Sequence, residues 1–326
     1  MSLLKLRLTI IGTLALLIGL STLLFTLILS FMGVFNIFFM IPLVVGFNLL
    51  QWYFAPGLIE RMYRVRELPE ASNPKLHSIV RRIADSTGIA RPRLMYSEMS
   101  IPNAFAYGSP RGGNRVAVTK GLLDALEEEE VEAVLGHEIG HLKHRDVQIM
   151  MFASVLPSIF YYIGFSLMLS SFFGGRGRNS GGAIIIGLAA MVAYFVLSLV
   201  VMGLSRLREY YADQHAIQHV PDGARKLSEG LAKIVTYSER ARAERKRGKS
   251  QVSAAGFKTL LFSDPDSSHH DIAALDRAGY RLSDSQLVHR LATRELSFGD
   301  RILELLGTHP NMVKRLRALA PKSPGF

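Results

Sequence analysis

The chain has 326 residues, 49% hydrophobic and only 20% charged, with a mean hydropathy of +0.22; this is too apolar for an ordinary soluble protein and excludes intrinsic disorder. It contains no cysteine, which rules out disulfide frameworks, iron–sulfur clusters, zinc fingers and a thiol nucleophile, so any metal must be held by histidine and carboxylates. The 38 Lys and Arg against 27 Asp and Glu leave a net +11, for which nucleic acid and a membrane surface compete as explanations.

Residues 1–59 carry only Lys5 and Arg7 as charges. The uncharged run from Leu8 to Phe31, at about 1.5 Å per residue, can cross a hydrocarbon core of about 30 Å. A second run, Val34 to Phe54, contains Pro42 and ends in Trp52 and Tyr53, residue types that favour the headgroup boundary. Residues 1–57 are therefore expected to form a transmembrane hairpin. A cleaved signal peptide would have a shorter apolar centre and a small-residue cleavage site, with no second span directly behind it.

Residues 58–148 form the first polar block. Ser72-Asn73-Pro74 opens a helix reading KLHSIVRRIADSTG that Gly88 stops, with proline in the first turn and glycine past the end. Short alternating runs at Arg93 to Ser97, Asn103 to Tyr107 and Arg115 to Thr119 predict strands of a small sheet. One long helix is then expected from near Gly121 through HRD, acidic at Glu127 to Glu130 and basic at Lys143, His144 and Arg145, as the helix dipole prefers.

From 149 to 203 the only charges are Arg176 and Arg178, in a glycine-rich link between two uncharged runs. These are the third and fourth predicted spans, 149–173 and 182–203. Residues 204–326 form a second polar block that packs with the first; it starts with the helical RLREYYADQHAIQHV, directly continuing the fourth span. Residues 239–250 are a basic helix or tail with a solvated face, and 263–271, SDPDSSHHD, read as a mobile loop. Lys5, Arg7, Arg61, Arg64, Arg66, Lys143, Arg145, Arg206 and Arg208 flank the spans on one side, against Arg176 and Arg178 on the other. Basic residues in short loops mark the cytoplasmic side, so both termini and both polar blocks are expected there. The two apolar segments hold four charges, and the other 212 residues hold 61, so membrane orientation explains the basic surplus better than nucleic acid does.

The predicted long helix contains His137-Glu138-Ile139-Gly140-His141. In H-E-x-x-H the two histidines lie one turn apart on one face, which suits a divalent metal. Glu138, adjacent and not a ligand by position, can move a proton between a metal-bound water and a leaving amine. Gly140 inside a helix is locally costly and points to a packing reason. A catalytic zinc needs a third protein ligand and an open position. The extended form with a third histidine at position 147 fails, because that residue is Val147, and His144 reads as a solvent-facing helix end. Glu209 is the first candidate, with Asp213 at i+4 placed to bond the free nitrogen of a ligating histidine; His215 and His219 are rivals. Read alone, Glu209 and Asp213 are equally suited to pairing with Arg206 or Arg208.

Four marks together resemble the HtpX-like membrane zinc metallopeptidases, relatives of the CAAX prenyl endopeptidases, over nearly the whole chain. They are Pro102-Asn103-Ala104-Phe105-Ala106, VLGHEIGHLKHRD, Ser205-Arg206-x-x-Glu209-x-x-Ala212-Asp213, and Thr308-His309-Pro310 with Arg315 beyond it. The resemblance implies one zinc per chain held by His137, His141 and Glu209, with Glu138 as general base and Asp213 behind the ligands. It implies that Asn103, Ala104, Phe105 and Ala106 form a strand along the cleft that pairs with an extended substrate. It also implies that His309 and Arg315 sit near the zinc, stabilising the oxyanion or ordering the ligands; spacing alone makes His309 a loop residue. Residues 238–300 carry no family mark and are expected to be a lid or adaptor-binding insertion.

The expected fold is mainly α, a polytopic membrane protein with four transmembrane helices and a cytoplasmic zincin-like α+β domain holding a small sheet and the H-E-x-x-H helix. The expected function is that of a multi-pass cell-membrane zinc endopeptidase, and the resemblance implies that it cleaves misfolded or damaged membrane proteins in quality control. Its expected partners are unfolded or membrane-protein substrates and the bilayer, with a homo-oligomer or membrane protease partner besides, and no nucleic acid. A selective prenyl-protein endopeptidase would share the site but calls for a larger multi-span chamber. A non-catalytic scaffold would have no use for Glu138.

Overall fold

The computed structural model describes residues 37–110, 112–173, 180–246 and 283–319. In chain order these form α1 (Ile37–Met62), β1 (Val65–Glu67), α2 (Pro74–Thr87), β2 (Arg93–Ser97), β3 (Ala104–Ser109), β4 (Gly113–Thr119), α3 (Lys120–Ala125) and α4 (Glu128–Lys143). They continue as α5 (Asp146–Phe173), α6 (Ser180–His219), α7 (Gly223–Lys246), α8 (Asp284–Thr293), α9 (Phe298–Leu305) and α10 (Met312–Leu319). Chain contacts divide the protein into one unit of residues 1–52 and 148–201 and another of residues 53–147 and 202–326.

The first unit holds the apolar lengths of α5 and α6. Two described helices, Asp146–Ser171 and Gly181–His219, are long and apolar enough to cross a membrane. A soluble core helix of this composition would be mostly buried, whereas only 11% of each apolar window is. Ile185, Ile186, Phe195 and Val200 of α6 are exposed, as lipid-facing residues are. Within this unit α5 and α6 meet at two glycines. A Cβ on Gly164 would lie 2.9 Å from the Gly187 carbonyl oxygen, and one on Gly187 would lie 3.1 Å from that of Gly164; small residues of this kind allow close helix crossings in lipid. The second predicted span falls in α1, and the first lies outside the described residues, so the number of four spans remains a reading of the sequence.

The second unit contains a four-stranded sheet in the order β1-β2-β4-β3. β2 and β4 are parallel, and the outer pairs are antiparallel. α2 forms where its punctuation predicts, since Asn73 Oδ1 accepts from Leu76 N and Gly88 closes the helix at φ 68°, a left-handed conformation glycine adopts without strain. Its apolar face, Leu76, Ile79, Val80 and Ile83, packs against α4 in the main core.

The predicted single helix from Gly121 is two helices. Leu126 is extended at φ −117° and ψ 147°, which turns its side chain into the core, and Glu127 N donates to Glu130 Oε2 at 2.9 Å to start α4 afresh. This capping arrangement satisfies an N–H that a continuous helix would bond to its own backbone. At the other end, Arg145 at φ 55° separates α4 from α5. β1 has no counterpart among the predicted strands, being only three residues long. α7 extends through part of the predicted basic stretch, and the 263–271 loop lies outside the described residues.

α4 is the central element of this unit, which explains why nearly all of it from Glu130 to Leu142 is buried. It packs between α2, α7 and the β3–β4 side of the sheet, with Val134, Leu135 and Ile139 fully enclosed. Burying such side chains contributes about 1.5–3 kcal/mol each, which fixes the helix axis and therefore the direction of its polar residues. Charged residues on α4 are matched across the packing: Lys226 Nζ donates to Glu132 Oε2 at 2.9 Å, and Arg82 also pairs with Glu132.

Candidate metal centre

α4 presents His137 and His141 one turn apart, with His137 and Glu138 buried and His141 partly so. Their rings are nearly perpendicular, 85° apart, with Nε2 to Nε2 at 3.0 Å. α6 lies close enough to complete the group because α4 carries two glycines facing it. A Cβ on Gly140 would stand 2.9 Å from the Cβ of His215, and one on Gly136 would stand 2.7 Å from Val220 Cγ2. This is the packing reason for Gly140. At that approach the Glu209 carboxylate lies 3.6 Å from His137 Nε2 through Oε2 and 3.5 Å from His141 Nε2 through Oε1.

The outer nitrogens are both committed. His137 Nδ1 lies 2.8 Å from Asp213 Oδ1, and His141 Nδ1 lies 2.5 Å from Asp146 Oδ2. A carboxylate only accepts, so each Nδ1 carries the hydrogen, and each ring, once its Nε2 is deprotonated, turns that lone pair inward. Two lone pairs and a carboxylate thus converge on one point, and a positive charge is what such a donor set accommodates. A tetrahedral ion with bonds of about 2.0–2.1 Å separates its ligands by about 3.3 Å, close to the three separations found. Glu209 Oε2 is also buried without a hydrogen bond. Burial works against a charged His137, yet the Asp213 and Glu209 carboxylates beside it outweigh that and raise its pKa to about 9; a metal cation would displace that proton. Glu138 belongs to the same cluster, its carboxylate falling with the two histidine nitrogens in a group within 4.8 Å.

Around this point the remaining predicted residues divide into those that touch it and those that brace it. His309, on the link between α9 and α10, puts Nδ1 3.3 Å from Glu209 Oε1. Arg315 on α10 is fully buried; Nε and Nη2 donate to Asp213 at 3.0 and 2.5 Å, and Nη1 lies 3.3 Å from Glu209 Oε2. Burial disfavours its charge, but Asp213 and Glu209 raise its pKa above that of ordinary arginine. These contacts order the two carboxylates. Asn103, Ala104 and Phe105 have buried side chains, with the Phe105 ring tilted against Tyr63 at 5.3 Å and against Tyr107 at 5.6 Å. Ala106 is only partly buried, and β3 is an end strand of the described sheet that lies against α4.

The rival ligands are used elsewhere. His215 Nδ1 donates to the Gly136 carbonyl at 2.8 Å, His219 Nδ1 faces Ser86 Oγ at 3.3 Å, and His144 is an exposed helix end. Arg206 and Arg208 do not take up Glu209 and Asp213. Arg206 Nη1 instead donates to the carbonyls of Glu304 and Gly307 at 2.8 Å each, gripping the end of α9 ahead of His309. Arg208 pairs with Asp146 at 2.7 Å. Asp146 is the residue the sequence reading missed; its signal is an acid just past the end of the histidine helix, five residues after His141. Another described cluster, Glu130, Glu229 and Asp284, also gathers oxygens within 4.8 Å. Lys233 already fills it, at 2.6 Å from Glu130 and 3.0 Å from Asp284.

Because Asp146 holds the His141 ring, Asp146→Asn is expected to weaken metal binding about 10–100-fold with little change in fold. Competition with a chromogenic chelator measures this, and unchanged affinity would remove Asp146 from the centre.

Residues 70–322 match the model of Peptidase family M48. Among curated proteins the chain is 36% identical over 282 residues to the Protease HtpX homolog of Thermoplasma acidophilum, covering 86% of this chain and 84% of that one. It is 37% identical over 281 residues to the Protease HtpX homolog of Aeropyrum pernix, covering 85% and 83%. Among solved structures it shares the fold of Ste24p of S. mikatae, with a TM-score of 0.56, 17% identity, and coverage of 97% of this chain and 67% of that one. These findings bear out the resemblance read from the four sequence marks.

Proposed function

The chain belongs to peptidase family M48, and from that premise we propose that it is a membrane zinc endopeptidase, with His137, His141 and Glu209 holding the metal and Glu138 as general base. The observation that carries this reading is the convergence of two Nε2 lone pairs and the Glu209 carboxylate beside Glu138. Zinc, when bound, supplies a Lewis acid that polarises water and the scissile carbonyl. The remaining work falls to the chain. The Glu138 carboxylate accepts a proton from the attacking water and returns it to the leaving nitrogen. Asp213 and Asp146 hold the two rings, and Arg315 neutralises the carboxylates behind them. His309 is suited to hydrogen-bond the developing oxyanion.

The open edge of β3 supports binding of an extended peptide through main-chain bonds, which tolerates many side-chain sequences. In the chain His141 closely precedes the apolar length of α5 and Glu209 closely follows that of α6, which supports access to polar loops of membrane proteins. Substrates in this reading are misfolded or damaged membrane proteins, processed on the cytoplasmic side indicated by the basic flanks of the spans. The full protein, reconstituted with an unfolded membrane-protein substrate, is expected to yield internal fragments by mass spectrometry. Stepwise release of single residues, or no cleavage of any unfolded substrate, would end the endopeptidase reading.

A further inference from the structure

α9 is amphipathic in the reverse of the usual sense. Its apolar residues face outward: Phe298 is 79% exposed, Ile302 41%, Leu305 49% and the following Leu306 50%. They recur at i, i+4, i+7 and i+8, one continuous helical stripe. Its acidic residues point inward. Asp300 is buried and accepts from Ser297 N at 2.9 Å and from Arg294 Nη2 at 3.4 Å. Glu304 is half-buried and accepts from Asn311 N at 3.3 Å and Lys314 Nζ at 2.5 Å. A helix bordering water on its outer side is not stabilised by turning its carboxylates in and four large apolar side chains out.

The position of α9 says what covers that stripe. The carbonyls of Glu304, Leu305 and Gly307 at its end are gripped by Arg206 Nη1 at 2.8, 3.2 and 2.8 Å. Arg206 is the first charged residue of α6 after the uncharged run from Ser180, so the end of α9 is held by the residue that directly follows the apolar length of that helix in the chain. Arg301 is exposed beside the apolar stripe, as basic residues flank the apolar face of helices lying on anionic bilayers.

We propose that α9 is an interfacial helix whose Phe298, Ile302, Leu305 and Leu306 face enters the lipid leaflet nearest the metal centre. Helices of this type sink about 5–10 Å into the boundary between headgroups and acyl chains. Since His309 follows α9 by four residues and Arg206 joins α9 to the helix of Glu209, the bilayer surface then sets the height of the His309 link. The inference goes beyond the proposed activity and requires only that α5 and α6 span the membrane, so it holds or fails independently of catalysis.

The test is depth quenching on the full chain in vesicles of phosphatidylcholine and phosphatidylglycerol. Trp52 is the single tryptophan; Trp52→Phe silences it, and Phe298→Trp then reports the stripe, with Leu306→Trp as a second reporter should the first fail to fold. The expected result is a loss of emission when the acyl chains carry bromine and none when they do not, while Lys75→Trp on the exposed face of α2 shows no loss in either vesicle. Unquenched emission at both stripe positions, whether from water or from a covering by this chain or a second copy, would overturn the proposal. Equal quenching of the Lys75→Trp control would do the same.

Discussion

Glu138→Gln is expected to keep the metal and lose about 10²–10⁴-fold in kcat, equivalent to about 2.7–5.4 kcal/mol of transition-state stabilisation. The substitution preserves shape inside the buried turn beside His137, so packing and the two histidines stay as they are. What it removes is the ability to accept a proton and pass it on. Metal content and turnover of a quenched-fluorescence peptide, measured on one preparation, separate two roles for this residue. Retained metal with lost turnover is the outcome for a base. Loss of metal as well would make Glu138 a ligand, a role its place among donors within 4.8 Å also permits; wild-type turnover would remove it from the chemistry altogether.

Arg315→Met is expected to destabilise the second unit by about 3–5 kcal/mol, because removing one partner of a buried ion group leaves uncompensated charge. The guanidinium holds Asp213 through two bonds and lies 3.3 Å from Glu209. Once it is gone, two buried carboxylates face each other across the His137 ring. A divalent cation on Glu209 offsets part of that repulsion, so the fall in melting temperature should be larger in metal-free protein than with metal present. Asp213→Asn in the same background removes one of the two facing charges, and the double variant should be less destabilised than the two single effects added together. Strict additivity, or a melting temperature unaffected by Arg315→Met, would show that Arg315 does not brace the centre.

What could be read from the sequence was local or periodic. Asn73, Pro74 and Gly88 bound α2 because capping chemistry acts over three or four residues. His137 and His141 are brought together by the pitch of one helix, so their spacing alone predicts a shared face. Glu209 and Asp213 could be nominated because they too lie one turn apart, on a helix linked to the first through two apolar runs. The break at Leu126 was not legible: the pattern LLDALEEEEV suits a continuous helix, and only burial of Leu126 in the core divides it. Asp146 and Arg208 were hidden because their partnership depends on how α4 turns into α5 at Arg145. Arg206 reads as a membrane-flanking charge, and its guanidinium also secures the end of α9, about a hundred residues away, a contact that no local pattern announces. The stretch from 238 to 300 carried no motif, and the meaning of α9 emerges only when its carboxylates are seen facing inward.

In the proposed function, peptide hydrolysis depends on one zinc at His137, His141 and Glu209. Its most direct test is to strip the metal from the full, membrane-reconstituted protein with a chelator and titrate zinc back while following both bound metal and cleavage of an unfolded polypeptide. Cleavage is expected to vanish on stripping and to return in proportion to zinc until one equivalent per chain is bound, with Glu209→Gln failing to regain either. Full cleavage in verifiably metal-free protein would contradict it.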